Sequence, residues 1–247
     1  MKLIRTENYT DMSLKAAEMI RKEIVSRGPG GQVVLGLATG NTPKGLYQQL
    51  VKWHNEEGLD FGGVKVVNLE EYIGIEEDHP AGFRKFMRKN LFEGTGISPA
   101  RSLFPDGNAA DPNAECGRFE EKIDDLGGID LVVIGIGGDG HIGFHEPGTL
   151  FRRDTCVVKL SADAKKANAA GFGGEENVPE QAITLGFGRL MSARKAVILA
   201  SGSGKAQIVR RLLNEQVTPD NPVSVLTLHP GCTLIADEDA LALHQGV

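Results

Sequence analysis

The run Ile129-Asp-Leu-Val-Val-Ile-Gly-Ile136 constrains this chain more than any other segment, because it is short, almost wholly apolar, and followed at once by Gly137-Gly-Asp-Gly-His-Ile-Gly-Phe-His-Glu146. A strand with one wet face alternates polar and apolar residues, whereas an unbroken apolar run needs cover on both faces, as in the middle of a parallel sheet. Comparable runs at 32–37, 64–69, 155–160, 195–200, 223–228 and 232–236 predict further strands. Between them, helices are predicted at about 13–26, where Ala17, Ile20 and Ile24 share one face, after Pro43, and at about 81–92, 113–125 and 204–214. Strands alternating with helices define an α/β fold: a doubly wound, mostly parallel sheet with helices on both faces, Rossmann-like, in a single domain spanning residues 1–247.

Such sheets bind ligands at the carboxyl ends of their strands, so the informative loops are those that follow strands. With 33 acidic against 27 basic side chains and a net charge of −6, the surface lacks the basic excess that nucleic acid or anionic lipid requires, and neither is expected as a partner. Any anionic ligand must be met locally. No apolar stretch approaches the length of a membrane span, which predicts no membrane partner. The three cysteines, Cys116, Cys156 and Cys232, are odd in number and lack a CxxC spacing, which favours a reducing, cytoplasmic setting over a disulfide framework.

Three loops carry candidate chemistry. In Ala38-Thr-Gly-Asn-Thr-Pro43, glycine permits close backbone approach, and the helix opened at Pro43 directs its free amides and positive dipole end outward, which suits a phosphate. The other reading is that Thr42 only caps the helix. Ser201-Gly-Ser-Gly-Lys205 repeats the arrangement after another strand and adds a full positive charge at Lys205. The loop after Ile136 gathers Asp139, His141, His145 and Glu146 among glycines. Histidine moves protons near neutral pH, and a carboxylate on its other ring nitrogen fixes tautomer and orientation. A metal site or a solvated polar turn are the alternatives there, although the spacing matches no HExxH-type pattern. Finally, Glu70 and Glu71 end a strand; successive strand side chains point oppositely, so one of them faces the pocket, and an inward Glu70 would be a base.

Taken together, Leu35-Gly-Leu-Ala-Thr-Gly-Asn-Thr-Pro43, Asn68-Leu-Glu-Glu-Tyr72, Gly135 to Pro147, Ala182-Ile-Thr-Leu-Gly186 and Leu226-Thr-Leu-His-Pro230 resemble, in order, the glucosamine-6-phosphate deaminase/isomerase family. Its wider superfamily includes 6-phosphogluconolactonases and sugar-phosphate-sensing regulators. The resemblance covers nearly the whole chain, and Gly-Asp-Gly-His-Ile-Gly-Phe-His-Glu-Pro is its specific part. It implies ring opening of a 2-amino-2-deoxyhexose 6-phosphate, glucosamine or its galactosamine epimer, then proton transfer from C2 to C1 and release of ammonia. No cofactor and no metal are implied. His141 would be the ring-opening acid–base, oriented by Asp139 and Glu146, and Glu70 the C2 base. Thr39, Gly40, Asn41, Thr42 and Lys205 would hold the phosphate, with Glu71, His145 and Lys166 in support. The partner implied is a small sugar phosphate, and a homo-oligomer is compatible with it.

The chain departs from the family pattern in places that bear on chemistry. Relatives usually carry aspartate where Glu70 stands, and an arginine on the phosphate near the position of Ala170; Lys166, one turn earlier, is the expected substitute. His145 replaces a common asparagine, and residues 148–153, Gly-Thr-Leu-Phe-Arg-Arg, lack the serines with which regulated relatives bind an effector. Two rival readings accompany the deaminase. A lactonase-type hydrolase would use His141 on water and leave an inward Glu70 without a task. A non-catalytic sensor would normally bring an N-terminal DNA-binding domain, whereas the fold here is expected to begin almost at residue 1.

Overall fold

Pairing of the short apolar runs builds one parallel sheet. The computed structural model describes residues 1–244. Its strands are β1 (Lys2–Thr6), β2 (Val33–Leu37), β3 (Val64–Asn68), β4 (Glu70–Tyr72), β5 (Ser102–Leu103), β6 (Leu131–Gly135), β7 (Cys156–Lys159), β8 (Gln181–Thr184), β9 (Lys195–Ala200) and β10 (Cys232–Asp237). Seven of them form a sheet in the order β1-β10-β9-β6-β2-β3-β5, with every pair parallel. The chain winds outward from β2 through β3 to β5, then returns to lay β6 beside β2 and winds the other way through β9 and β10. The crevice between β2 and β6 is therefore the point where the winding reverses, where open α/β sheets place their ligands.

The expected doubly wound α/β fold is present, and its cause is visible in β2. Val33, Leu35 and Leu37 enter one core cluster, with Met12, Ile20, Leu46 and Leu50 of the helices α1 (Tyr9–Ser26) and α2 (Lys44–Glu57). Val34 enters the other, with Phe119 and Ile123 of a later helix and Val132 and Ile134 of β6. Strand side chains alternate between faces, and here both faces are covered, so both sets must be apolar. Apart from short 3-10 turns, the remaining helical pieces are α3 (Phe83–Met87), a π-turn over Arg88–Phe92, α4 (Glu93–Thr95), α5 (Pro112–Asp125), α6 (Ala162–Phe172), α7 (Phe187–Ser192) and α8 (Ala206–Asn214). None among the described residues is long and apolar enough to cross a membrane.

Several expected boundaries move for identifiable reasons. Helix α1 begins at Tyr9, a turn before 13, because the Asn8 side chain accepts from the Asp11 amide at 3.1 Å and caps it. The expected strand at 223–228 is instead a 3-10 helix, Pro222–Leu228. Pro222, Val223, Ser224 and Leu226 are buried while Leu228 is 65% exposed, and the segment closes on itself: the Ser224 amide donates to the Asn221 carbonyl at 2.8 Å and the His229 amide to the Leu226 carbonyl at 3.1 Å, the three-residue period of a 3-10 turn. Residues 70–72 form β4, which leaves the main sheet. It pairs antiparallel with β8, and β8 pairs antiparallel with β7, giving a separate three-stranded sheet. The Asn68 side chain holds the departure point, donating to the Glu70 carbonyl at 2.5 Å.

Candidate active site

A cavity of about 270 Å³ opens at the carboxyl ends of β2, β6 and β9, over the reversal of winding. Thr39, Gly40, Asn41 and Thr42 line it from the loop after β2, Glu70 from β4, His141 from the loop after β6, and Lys205 from the loop after β9. Segments as much as 167 residues apart in the chain thus converge on one volume (Lys205 against Ala38).

The loop after β6 turns tightly enough for Asp139 to meet both ends of His141. Its Oδ1 accepts from the His141 amide at 3.1 Å and lies 2.7 Å from His141 Nδ1. Partial burial raises the Asp139 pKa, but those hydrogen bonds and the imidazole outweigh it, and the net shift is downward. An ionised Asp139 accepts a hydrogen bond from Nδ1–H, which leaves the lone pair of Nε2 as the working end of the ring. Gly137 is required beneath this pair: a Cβ there would collide with His141 Nδ1 and fall 2.5 Å from Asp139 Oδ1.

Glu70 and Glu71 are both buried, and the β4 alternation separates their tasks. Glu70 faces the cavity, and its Oε2 is buried with no hydrogen-bond partner. Burial, with a smaller contribution from the Glu71 charge, pushes its carboxyl up to about 8. Glu71 points away and accepts from the amides of Tyr72 (3.0 Å), Phe83 (3.1 Å) and Arg84 (2.9 Å), capping α3. Burial raises its pKa against those hydrogen bonds. Lys205 stands half-buried on the far side; burial lowers its pKa, with Asp139 opposing.

Other expected supports lie elsewhere. Glu146 makes no hydrogen bond to His141; its Oε1 accepts from the hydroxyl and amide of Ser161 at 2.7 and 3.3 Å, at the start of α6. His145 is buried behind the loop, its Nε2 2.9 Å from the Leu185 carbonyl and its ring 4.3 Å from Phe187. Burial lowers its pKa. Lys166 does not line the cavity: α6 packs inward through Ala164 and Phe172, and Lys166, two residues from Ala164, falls on the exposed side. Thr42 does not cap α2: the N-cap position is Pro43, which offers no side-chain cap.

Two residues that shape the cavity wall have no local motif. Tyr9 of α1 donates its hydroxyl to the Asn41 carbonyl at 3.0 Å and accepts from the Gly45 amide at 2.8 Å, pinning the first glycine loop. Asp237, buried at the end of β10, accepts from the Ser201 hydroxyl and from the Gly202 amide at 3.0 Å, pinning the second. Both contacts are made across the fold, so spacing in the sequence holds no sign of them.

The chain has the architecture of a sugar-phosphate-processing α/β fold, with two glycine loops, a cation, an Asp–His pair and a buried carboxyl around one cavity. Residues 7–235 match the family model described as glucosamine-6-phosphate isomerases/6-phosphogluconolactonase, and the chain belongs to that family. It is 47% identical over 243 residues to the glucosamine-6-phosphate deaminase of Geobacillus sp. (strain WCH70), covering 98% of this chain and 96% of that one. It is 40% identical to glucosamine-6-phosphate deaminase 1 of Bacillus subtilis (strain 168), covering 98% and 99%. Among solved structures, a monomeric glucosamine-6-phosphate deaminase superposes with a TM-score of 0.94 at 39% identity, covering 99% of this chain and 100% of that one. The 6-phosphogluconolactonase of Leishmania guyanensis gives 0.78 at 25% identity, covering 100% and 98%.

Proposed function

We propose that this protein is an amino-sugar-phosphate deaminase that converts glucosamine 6-phosphate to fructose 6-phosphate and ammonia. The observation that carries this reading is the buried Glu70 carboxyl facing the same cavity as the Asp139–His141 pair and Lys205. The phosphate is held by the amides of residues 39–42 and by the Lys205 ammonium. His141, with its proton on Nδ1, takes the C1 hydroxyl proton at Nε2 and returns it to the ring oxygen, opening the sugar. Glu70 removes the C2 proton and delivers it to C1, leaving an imine at C2. Water adds there and ammonia leaves, so the atoms of substrate and water are all accounted for in ketose and ammonia. A lactonase has no proton to move between carbons and leaves Glu70 idle. The three free thiols suit a cytoplasmic setting.

The raised Glu70 pKa has a use and a cost. As the base, Glu70 must be ionised, and the free protein holds it largely protonated below about 8. The substrate's ammonium favours the ionised form once bound, since an opposite charge within a few ångströms lowers a carboxyl pKa. The dependence of kcat/KM on pH, which reports the free enzyme, is therefore expected to rise through a group near 8, while kcat levels at lower pH. Coincident profiles would show that the substrate charge plays no part in ionising Glu70.

Truncating Lys205 is expected to act on binding. Lys205→Ala removes a charge-assisted hydrogen bond, and KM should rise roughly 10- to 100-fold with kcat less affected. An unchanged KM would take Lys205 out of the phosphate site. The function itself is tested by incubating the protein with glucosamine 6-phosphate and, separately, galactosamine 6-phosphate, and measuring ammonia and ketose 6-phosphate. Equal amounts of both products from the glucosamine substrate are expected; no turnover of either epimer would overturn the reading.

A further inference from the structure

Glu70 Oε2 occupies a niche that exists because residue 143 has no side chain. Gly143 has a left-handed backbone, φ +55°, and a Cβ built on it would lie 2.5 Å from Glu70 Oε2, 3.6 Å from the Glu70 carboxyl carbon and 2.8 Å from Thr184 Oγ1. The first of these distances is far inside carbon–oxygen contact, so the carboxylate and a side chain at position 143 cannot share the space. Thr184 closes the niche from below. It is the direct β8 partner of Glu70 in β4, and its Oγ1 accepts from the Phe144 amide at 3.3 Å, next to Gly143 in the chain. Carboxylate, glycine and threonine therefore meet at one point on the wall of the cavity, which Gly143 itself lines.

We propose that Gly143 is a positioning residue for the proton-transfer carboxyl: its missing Cβ creates the niche in which a glutamate at position 70 is held against the cavity wall on Thr184. The proposal rests on the reading of Glu70 as the base. It explains how a residue one methylene longer than aspartate can serve without projecting into the volume the sugar needs. The length of residue 70 and the size of residue 143 are then coupled. A methyl group at position 143 displaces the Glu70 carboxyl. Aspartate at position 70 withdraws its carboxyl by about one carbon–carbon bond, ~1.5 Å, and escapes the methyl. The left-handed backbone penalty and the Thr184 contact accompany Gly143→Ala whichever acid stands at position 70, so a double-mutant cycle cancels them.

The test is to measure kcat, KM and melting temperature for the wild type, Gly143→Ala, Glu70→Asp and the double variant. With Glu70 in place, Gly143→Ala is expected to lower kcat about 100-fold with KM within a few fold, as for a catalytic group displaced by about an ångström. In the Glu70→Asp background, the same change should cost less than roughly fivefold in kcat, and its drop in melting temperature should be smaller. A single Gly143→Ala variant that fails to fold beside a double variant that folds supports the coupling equally. Equal effects of Gly143→Ala in both backgrounds overturn the proposal. Failure of both Gly143→Ala proteins to fold also overturns it, because the backbone or Thr184, and not the carboxyl, would then decide. A wild type inactive on hexosamine phosphates defeats the functional reading instead, and the melting-temperature cycle still reads the coupling.

Discussion

Glu70→Gln is expected to lower kcat on the order of 10³-fold, leave KM within a few fold, and stabilise the fold at alkaline pH. Glutamine keeps the shape of the side chain but has no basic oxygen, so the C2 proton has no acceptor. The stability effect follows from the position of the pKa. An unfolded glutamate titrates near 4.3, whereas burial, and then the Glu71 charge, push the folded group up to about 8. Between those values the folded state holds the proton and the unfolded state has lost it, so the folded state is progressively disfavoured as pH rises through the window. The cost is complete above about 8. Glutamine never ionises, and the melting temperature of the variant should exceed that of the wild type most clearly above that pH, with the difference narrowing towards about pH 4–5. Thermal melts at a series of pH values check this; a constant difference across the range would mean that Glu70 is already ionised in the folded protein.

His141→Asn and Asp139→Asn are expected to fall together, although only the first removes a reacting group. Asparagine in place of His141 has no basic nitrogen at the ring-opening position, and the loss should lie in the roughly 10²- to 10⁴-fold range of general acid–base catalysis. Asparagine in place of Asp139 is nearly isosteric with the native residue, but its amide is able to donate to Nδ1. The imidazole then carries its proton on Nε2 and presents a donor where the mechanism needs an acceptor. In a serine protease triad, the equivalent aspartate-to-asparagine change costs about 10⁴-fold through the wrong tautomer. Here the aspartate is 54% exposed, so water and ring rotation moderate the effect to roughly 10²-fold. Full activity of Asp139→Asn would show that the 2.7 Å contact to Nδ1 plays no part in turnover.

What the sequence reveals of this site follows from how local each feature is. The unbroken apolar run of β6 demands two covered faces, and its position between β2 and β9 puts the glycine-bearing loops that follow those two strands on either side of its own. Alternation alone separates Glu70 from Glu71, because they are neighbours on an extended strand. The second sheet is harder to foresee. Its strand β4 has only three residues, all buried, and from Tyr72 the other two strands of that sheet begin 84 positions on at Cys156 and 109 positions on at Gln181. Lys166 illustrates the opposite error. It lies four residues before Ala170, and helical spacing places the two on one face, but that face of α6 turns to solvent because Ala164 and Phe172 take the inward one. Tyr9, Asp237 and Gly143 act through contacts that only the folded chain creates.

The most direct test of Glu70 as the base follows the C2 proton itself. Glucosamine 6-phosphate carrying deuterium at C2 is converted to completion in ordinary water, and the fructose 6-phosphate is analysed at C1 by NMR. If one buried carboxyl lifts the hydron from C2 and sets it down on C1, turnover should be slower than with the unlabelled sugar, and part of the deuterium should appear at C1. Glu70→Gln should form no labelled product on the same timescale. Turnover at an unchanged rate with no deuterium at C1, or labelled product formed by Glu70→Gln at the wild-type rate, would contradict the assignment of Glu70 as the proton carrier.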